Sequence, residues 1–134
     1  MKKAVQTTHA PSAIGPYSQA VESAGWVFCS GQVGLDPATG ALVKGGIEAE
    51  TRRALENLRF VLAAAGLKFE DVVRTTIFLV DLADFEIVNR AYGEHLAAPY
   101  PARSTVQVAA LPRGARIEID AIAVRPARSG SRRA

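Results

Sequence analysis

Apolar positions recur at helical spacing in two stretches of this chain and alternate at strand spacing in several others. In the first helical stretch Ile47, Thr51, Ala54, Leu55, Leu58, Val61, Leu62 and Ala65 share one face. Glu48 and Arg52 stand one turn apart and can pair. Gly66 is the residue type that helices favour just past their last turn. The second stretch opens at Asp84, a natural N-cap, and lines Phe85, Val88, Tyr92 and Leu96 along a buried face. Pro99 and Pro101 stop it. Between the helices, residues 72–80 are rich in β-branched side chains. Val73, Thr75, Ile77 and Leu79 would face one way and Phe78 and Val80 the other, which predicts a strand covered on both sides.

Shorter signals complete the order. Residues 1–16 read as extended and irregular, broken by Pro11 and Pro16. Residues 17–22 and 26–30 flank Ser23-Ala24-Gly25 and read as a hairpin. Residues 31–46 form a loop in which Asp36-Pro37-Ala38-Thr39-Gly40 has the chemistry of a type I turn. Two further strands fall near residues 103–108 and 117–124, and their adjacency alone suggests a hairpin. The order β-β-β-α-β-α-β-β predicts one α+β domain over residues 1–124, a two-layer fold with both helices on one face of a six-stranded sheet. Nothing remains in a chain of 134 residues to cover the other face, so a homo-oligomer is expected.

The composition, 49% hydrophobic and 22% charged, is that of an ordinary globular protein. No apolar run reaches the length of a membrane span, and no apolar block follows Lys2 and Lys3, so a cytoplasmic protein is expected. The pI of about 9.4 invites a nucleic-acid reading that the charge map weakens. All 13 acidic residues precede position 125, whereas Arg125, Arg128, Arg132 and Arg133 follow position 124. Residues 1–124 thus hold twelve of the 16 basic residues against thirteen acidic ones, a net −1. The basic character belongs to residues 125–134, an Arg/Ser/Gly tail expected to be disordered.

Cys29 is the single cysteine and sits in WVFCS, where a small buried hydrophobe is expected rather than a nucleophile or metal ligand. No phosphate-cradling glycine motif, no HExxH and no paired CxxC occurs. His9 and His95 lie far apart in sequence and read as surface residues. The chain is therefore expected to work without a metal or cofactor. What chemistry there is lies in residues 101–120, PARSTVQVAALPRGARIEID. Glu118 stands between Ile117 and Ile119 on a strand, where a lone charge is costly unless paired or functional. Arg103 offers the planar fork that suits a carboxylate. Together they could hold a small acid and activate a water beside it, or they could form a structural ion pair. Three further segments draw attention: Gly15-Pro16-Tyr17-Ser18 after a rigid turn, Cys29-Ser30-Gly31-Gln32 at a strand end, and Asn89 in DFEIVNRAY.

These segments resemble the RidA (YjgF-like) family of reactive-intermediate deaminases, from AIGPYSQAV through FCSGQVGLDPATG and AAAGL to the Pro-Ala-Arg and Ile-Glu-Ile signature. The resemblance implies a chorismate-mutase-like fold, a trimer with a barrel-like core and sites in clefts between subunits. It also implies that the last strand inserts into the sheet. The implied activity is hydrolysis of 2-imino acids and their enamine tautomers to 2-keto acids and ammonia, without cofactor. By that similarity Arg103 clamps the substrate carboxylate, and Glu118 polarises the attacking water and returns a proton. The backbone at Ser30 and Gly31 lines the pocket, and Tyr17 and Asn89 shape its sides. Thr105 stands where archetypal members carry cysteine, which keeps a small hydroxyl donor in place of the thiol. Two other readings of the same scaffold are a non-catalytic small-acid sensor and an RNA-cleaving activity. A near-neutral body without a histidine pair argues against the latter.

Overall fold

The computed structural model describes residues 1–127. Six strands and two helices follow one another as β1 (Lys3–Val5), β2 (Ala20–Ser23), β3 (Trp26–Gln32), α1 (Gly46–Ala64), β4 (Val72–Leu79), α2 (Phe85–His95), β5 (Ala102–Gln107) and β6 (Ile117–Val124). They form one mixed sheet in the order β1-β2-β3-β6-β4-β5. Only β4 and β5 pair in parallel, joined by the α2 crossover. β6 runs antiparallel to both β3 and β4 and fills the gap left by the α1 crossover. The last strand is therefore inserted, as the resemblance implied, and does not form the hairpin that chain adjacency suggested. The α+β expectation holds.

Leu55, Leu58 and Leu62 of α1 pack with Val27, Ile77, Leu79, Ile117 and Ile119 of the sheet, all at 1% exposure or less. α1 ends as its sequence predicts. Gly66, at φ +76°, donates its N–H to Ala63 O at 2.9 Å, and Leu67 N–H reaches Leu62 O at 2.9 Å. Arg52 reaches Glu48 at 3.2 Å, and Gly40 N–H closes the Asp36 turn at 2.7 Å.

Several local expectations are corrected. The β4–β6 register shifts between Val72 and Arg74. That bulge turns Val72 inward and leaves Val73 exposed, so the inward set is Val72, Thr75, Ile77 and Leu79. Asp84 makes no capping bond. Asp81 caps instead, accepting Ala83 N–H at 2.9 Å to hold a short 3-10 turn ahead of α2. Phe85 is 39% exposed and lies outside the core. β2 begins at Ala20, which leaves Tyr17 on the preceding loop, and β3 continues through Gly31 to Gln32.

Cys29 is buried, and burial followed by the charge of Asp120 pushes its thiol up to about 12, which makes it inert. Arg125, at the start of the basic tail, is docked. Its Nε and Nη2 reach Glu22 at 2.9 and 2.8 Å, and Nη2 also donates to Ala65 O at 2.6 Å, at the negative end of α1. Residues 128–134 of the tail lie outside the described residues. No helix among the described residues is long and apolar enough to cross a membrane.

The helices cover one face of the sheet only. On the other face lie Trp26 and Phe28 of β3, Phe78 of β4, Val106 of β5 and Ile122 and Val124 of β6, as their cross-strand pairing requires. Trp26, Phe28 and Val106 are 46%, 44% and 40% exposed, and the Trp26 and Phe28 rings stack at 6.4 Å.

Candidate active site

Alternation along β6 fixes the direction of Glu118. Ile117 and Ile119 point into the core at 0% exposure, so Glu118 and Asp120 point to the open face. Facing them, β3 carries one extra residue: Cys29 pairs with Ala121 and Gln32 with Ile119, three steps against two. This bulge brings Gly31 against the Glu118 side chain. A Cβ on Gly31 would lie 2.7 Å from the carboxyl carbon of Glu118 and 2.9 Å from its Cγ. Glycine here leaves the Glu118 carboxyl room to lie against the strand.

Glu118 is half-buried and forms no hydrogen bond or ion pair to another described residue. Burial, and after it the Asp120 charge, raises its carboxyl above the ordinary value. Asp120 is engaged elsewhere, accepting Thr76 N–H at 3.1 Å. Glu118 and Gly31 open onto a cavity of about 400 Å³ whose walls include Tyr17, Ile14, Pro11 and Pro112. The Tyr17 hydroxyl accepts Ile14 N–H at 3.4 Å. Ser30 does not line this cavity. Its hydroxyl donates to Ser18 O at 2.6 Å and its N–H to Gln19 O at 2.9 Å, so it pins the loop carrying Tyr17. Gln19, which the sequence reading missed, is the internal post of the same wall. It is 4% exposed, accepts Thr7 N–H at 2.7 Å and donates to Pro11 O at 2.7 Å. Its one sequence signal is an amide at a strand start, two residues past Tyr17.

Arg103 is elsewhere. It pairs with Thr75, whose side chain is buried on the helix side of β4, so Arg103 faces the helices at the sheet edge. Its guanidinium carbon lies 5.0 Å from the centre of the Tyr92 ring and 5.6 Å from that of Phe85. It makes no ion pair or hydrogen bond within the described residues. Arg103 and Asn89 share a second cleft of about 340 Å³ with Tyr92, Gly93, Tyr100 and Pro101. Thr105 follows on the same side, and its hydroxyl is enclosed without a partner among the described residues.

One chain thus holds two half-sites. Tyr17, Gly31 and Glu118 form one, with Ser30 behind it; Asn89 and Arg103 form the other, with Thr105 beside it. They lie on opposite faces of the sheet. β4 separates them, and two strand spacings alone put roughly 10 Å between the backbones of β6 and β5. Glu118 in one half and Arg103 in the other are charged and without a partner among the described residues; Arg113, which also lines the Glu118 cavity, donates to Gly40 O at 2.6 Å. No cluster of three or more metal-ligating side chains occurs among the described residues.

A family model described as Endoribonuclease L-PSP matches residues 7–125. The mouse 2-iminobutanoate/2-iminopropanoate deaminase is 53% identical over 124 residues, which cover 92% of this chain and 92% of that protein. RidA from the Antarctic bacterium Psychrobacter sp. superposes with a TM-score of 0.88 at 43% identity, over 91% of this chain and 98% of its own. TdcF of E. coli, solved with bound serine, superposes with a TM-score of 0.87 at 44% identity, over 92% of this chain and 99% of its own.

Proposed function

The chain belongs to the Endoribonuclease L-PSP family, and we propose that it acts as an imine deaminase whose active site is completed between two copies of the chain. It hydrolyses reactive 2-imino acids and enamines, of the 2-aminoacrylate and 2-iminobutanoate type, to 2-keto acids and ammonia. Mouse, human and bovine relatives are named 2-iminobutanoate/2-iminopropanoate deaminase, which supports this reading. The observation that carries the intersubunit reading is the split site: Glu118 and Arg103 lack partners among the described residues and sit on opposite sides of one sheet. A homotrimer that buries Trp26, Phe28 and their neighbours on a shared barrel-like core would bring the Arg103 edge of one copy to the Glu118 face of the next. A cytoplasmic location is part of the same proposal.

In the proposed reaction Arg103 binds the substrate carboxylate with two parallel N–H donors. The serine bound to E. coli TdcF carries the same kind of carboxylate. Thr105 and Asn89 of the same copy, and Tyr17 of the neighbouring one, bound the substrate around it. Glu118 of the neighbouring copy accepts a hydrogen bond from a water. The water oxygen bonds to C2 of the protonated imine, the C=N π pair moves to nitrogen, and Glu118 takes the water's proton. Glu118 then returns that proton to the amino group, the C2–N bond breaks, and the carbinol proton leaves with ammonia as ammonium. A protonated imine is already electrophilic, so placing the two reactants accounts for much of the rate. A carboxyl pKa raised by burial suits this exchange, because the group must give back the proton it takes as well as accept it. Neither His9 nor His95 lines either cleft, so the acid–base pair expected for RNA cleavage is not found at the site.

The test is complementation. Arg103→Ala and Glu118→Ala should each lose roughly a hundredfold or more in activity as pure assemblies. Mixed by co-expression at equal levels, they should regain about a quarter of wild-type activity, because half the copies at each side of a seam carry the needed residue. Mixtures that stay that low, although subunits have exchanged, would refute a shared site. Keto-acid binding without turnover by the wild type would instead make it a sensor.

A further inference from the structure

We propose that Phe85 and Tyr92 are positioning residues for Arg103, an aromatic seat that holds the guanidinium in place before substrate arrives. The inference rests on Arg103 being the carboxylate clamp. A clamp residue faces a conflict: a carboxylate partner would orient it but also consume the donors the substrate needs. Arg103 has no such partner among the described residues, and two rings stand against it instead, at 5.0 and 5.6 Å. Aromatic faces attract a cation without accepting its in-plane N–H groups, so the fork stays free while the side chain loses freedom in advance.

The seat is itself fixed. Tyr92 is 5% exposed, and its hydroxyl is 2.8 Å from Thr75 Oγ1. Thr75 is the residue paired with Arg103 across β4 and β5, so the ring is tied to the same register position as the cation it supports. Phe85 precedes Asn89 by four residues and Tyr92 by seven, which puts all three on one face of α2. At 39% exposure, Phe85 adds little to the core, and this contact gives its ring a purpose.

The test uses the full chain in its native assembly. Phe85→Leu should raise KM for imine hydrolysis about fivefold with kcat held within about twofold, and Phe85→Tyr should restore it. In isotope-labelled protein the Arg103 side-chain resonances should carry ring-current shifts that shrink in Phe85→Leu. Tyr92→Phe, which keeps the ring, should keep the shifts. An unchanged KM in Phe85→Leu, while Arg103→Ala loses binding of 2-ketobutanoate, overturns the seat and leaves the clamp standing. If Arg103→Ala binds 2-ketobutanoate as wild type does, the clamp falls and the seat with it.

Discussion

Gly31→Ala separates the placement of Glu118 from the stability of the fold. The added methyl would lie 2.7 Å from the Glu118 carboxyl carbon and 2.9 Å from Cγ, closer than side-chain carbons approach, so one group must move. The backbone of Gly31 is held by the bulge between β3 and β6, whereas the Glu118 carboxyl is the free end of a side chain with no partner among the described residues. The side chain therefore yields. Leaving its preferred rotamer costs about 1 kcal/mol, a shift in Tm of roughly 5 °C or less for a domain of this size. Losing a positioned acid–base group costs roughly 10²- to 10⁴-fold in rate. The variant should stay folded and assembled while its kcat falls toward that of Glu118→Gln, with KM little changed because the carboxylate clamp is untouched. An amino-acid oxidase that generates the imine in situ, with keto-acid release followed above the spontaneous rate, measures this directly. A Gly31→Ala protein that keeps more than about a tenth of wild-type kcat would mean that the carboxylate need not sit where the bulge puts it.

Three other outcomes are expected. Because burial and Asp120 raise the Glu118 carboxyl above its ordinary value, the folded state holds that proton more tightly than the unfolded chain does. The residue's contribution is thus full below the ordinary carboxylate pKa and is lost as pH rises through the raised one. Glu118→Gln should accordingly melt higher than wild type at pH 7, with the difference closing on acidification; a lower melting point at pH 7 would contradict burial as the leading cause. Arg103→Ala removes two charge-assisted hydrogen bonds to the ligand, about 3 kcal/mol or roughly a hundredfold in kcat/KM, yet should unfold at nearly the wild-type temperature in calorimetry, since no partner within the described residues is orphaned. Phe28→Asp puts a charge on the uncovered face, and sedimentation should show smaller assemblies with deaminase activity falling in step.

Legibility in the sequence followed the range of the interactions involved. α1 was readable because its face and its Gly66 stop depend on residues within a few positions of one another. Val73 is exposed rather than inward because the bulge in β4 is set by its partner β6, nearly fifty positions away, and no local pattern encodes it. Asp84 lost the cap to Asp81 because a 3-10 turn of three residues precedes α2, and the two aspartates are equivalent to a propensity argument. Ser30 is expected to line the pocket through its backbone, but its N–H goes to Gln19 O and its hydroxyl to Ser18 O, partners eleven and twelve positions back that no local pattern announces. Arg103 and Glu118 stood out by residue type against an apolar background. Their separation onto opposite faces could not be seen without the strand order, because it depends on β6 lying between β3 and β4.

That separation ties chemistry to association. A single subunit exposes a broad apolar face and carries a half-buried carboxylate with no ion-pair partner among the described residues, and both are costs of standing alone. A neighbour laid along the sheet would remove the first through burial and offset the second by delivering Arg103, held on its aromatic seat, to the far side of the bound substrate. The same contact that stabilises the assembly would then complete the catalytic pair. Substitutions at Trp26 or Phe28 on the open face should therefore cost activity even though neither touches the substrate, and they should do so in proportion to the fraction of subunits left unpaired. Substitutions at Gly31 or Arg103 should cost activity at every protein concentration alike. Comparing specific activity across a dilution series for Phe28→Asp and for Gly31→Ala distinguishes the two. If both lose activity independently of concentration, each subunit is working alone and the shared-site account fails.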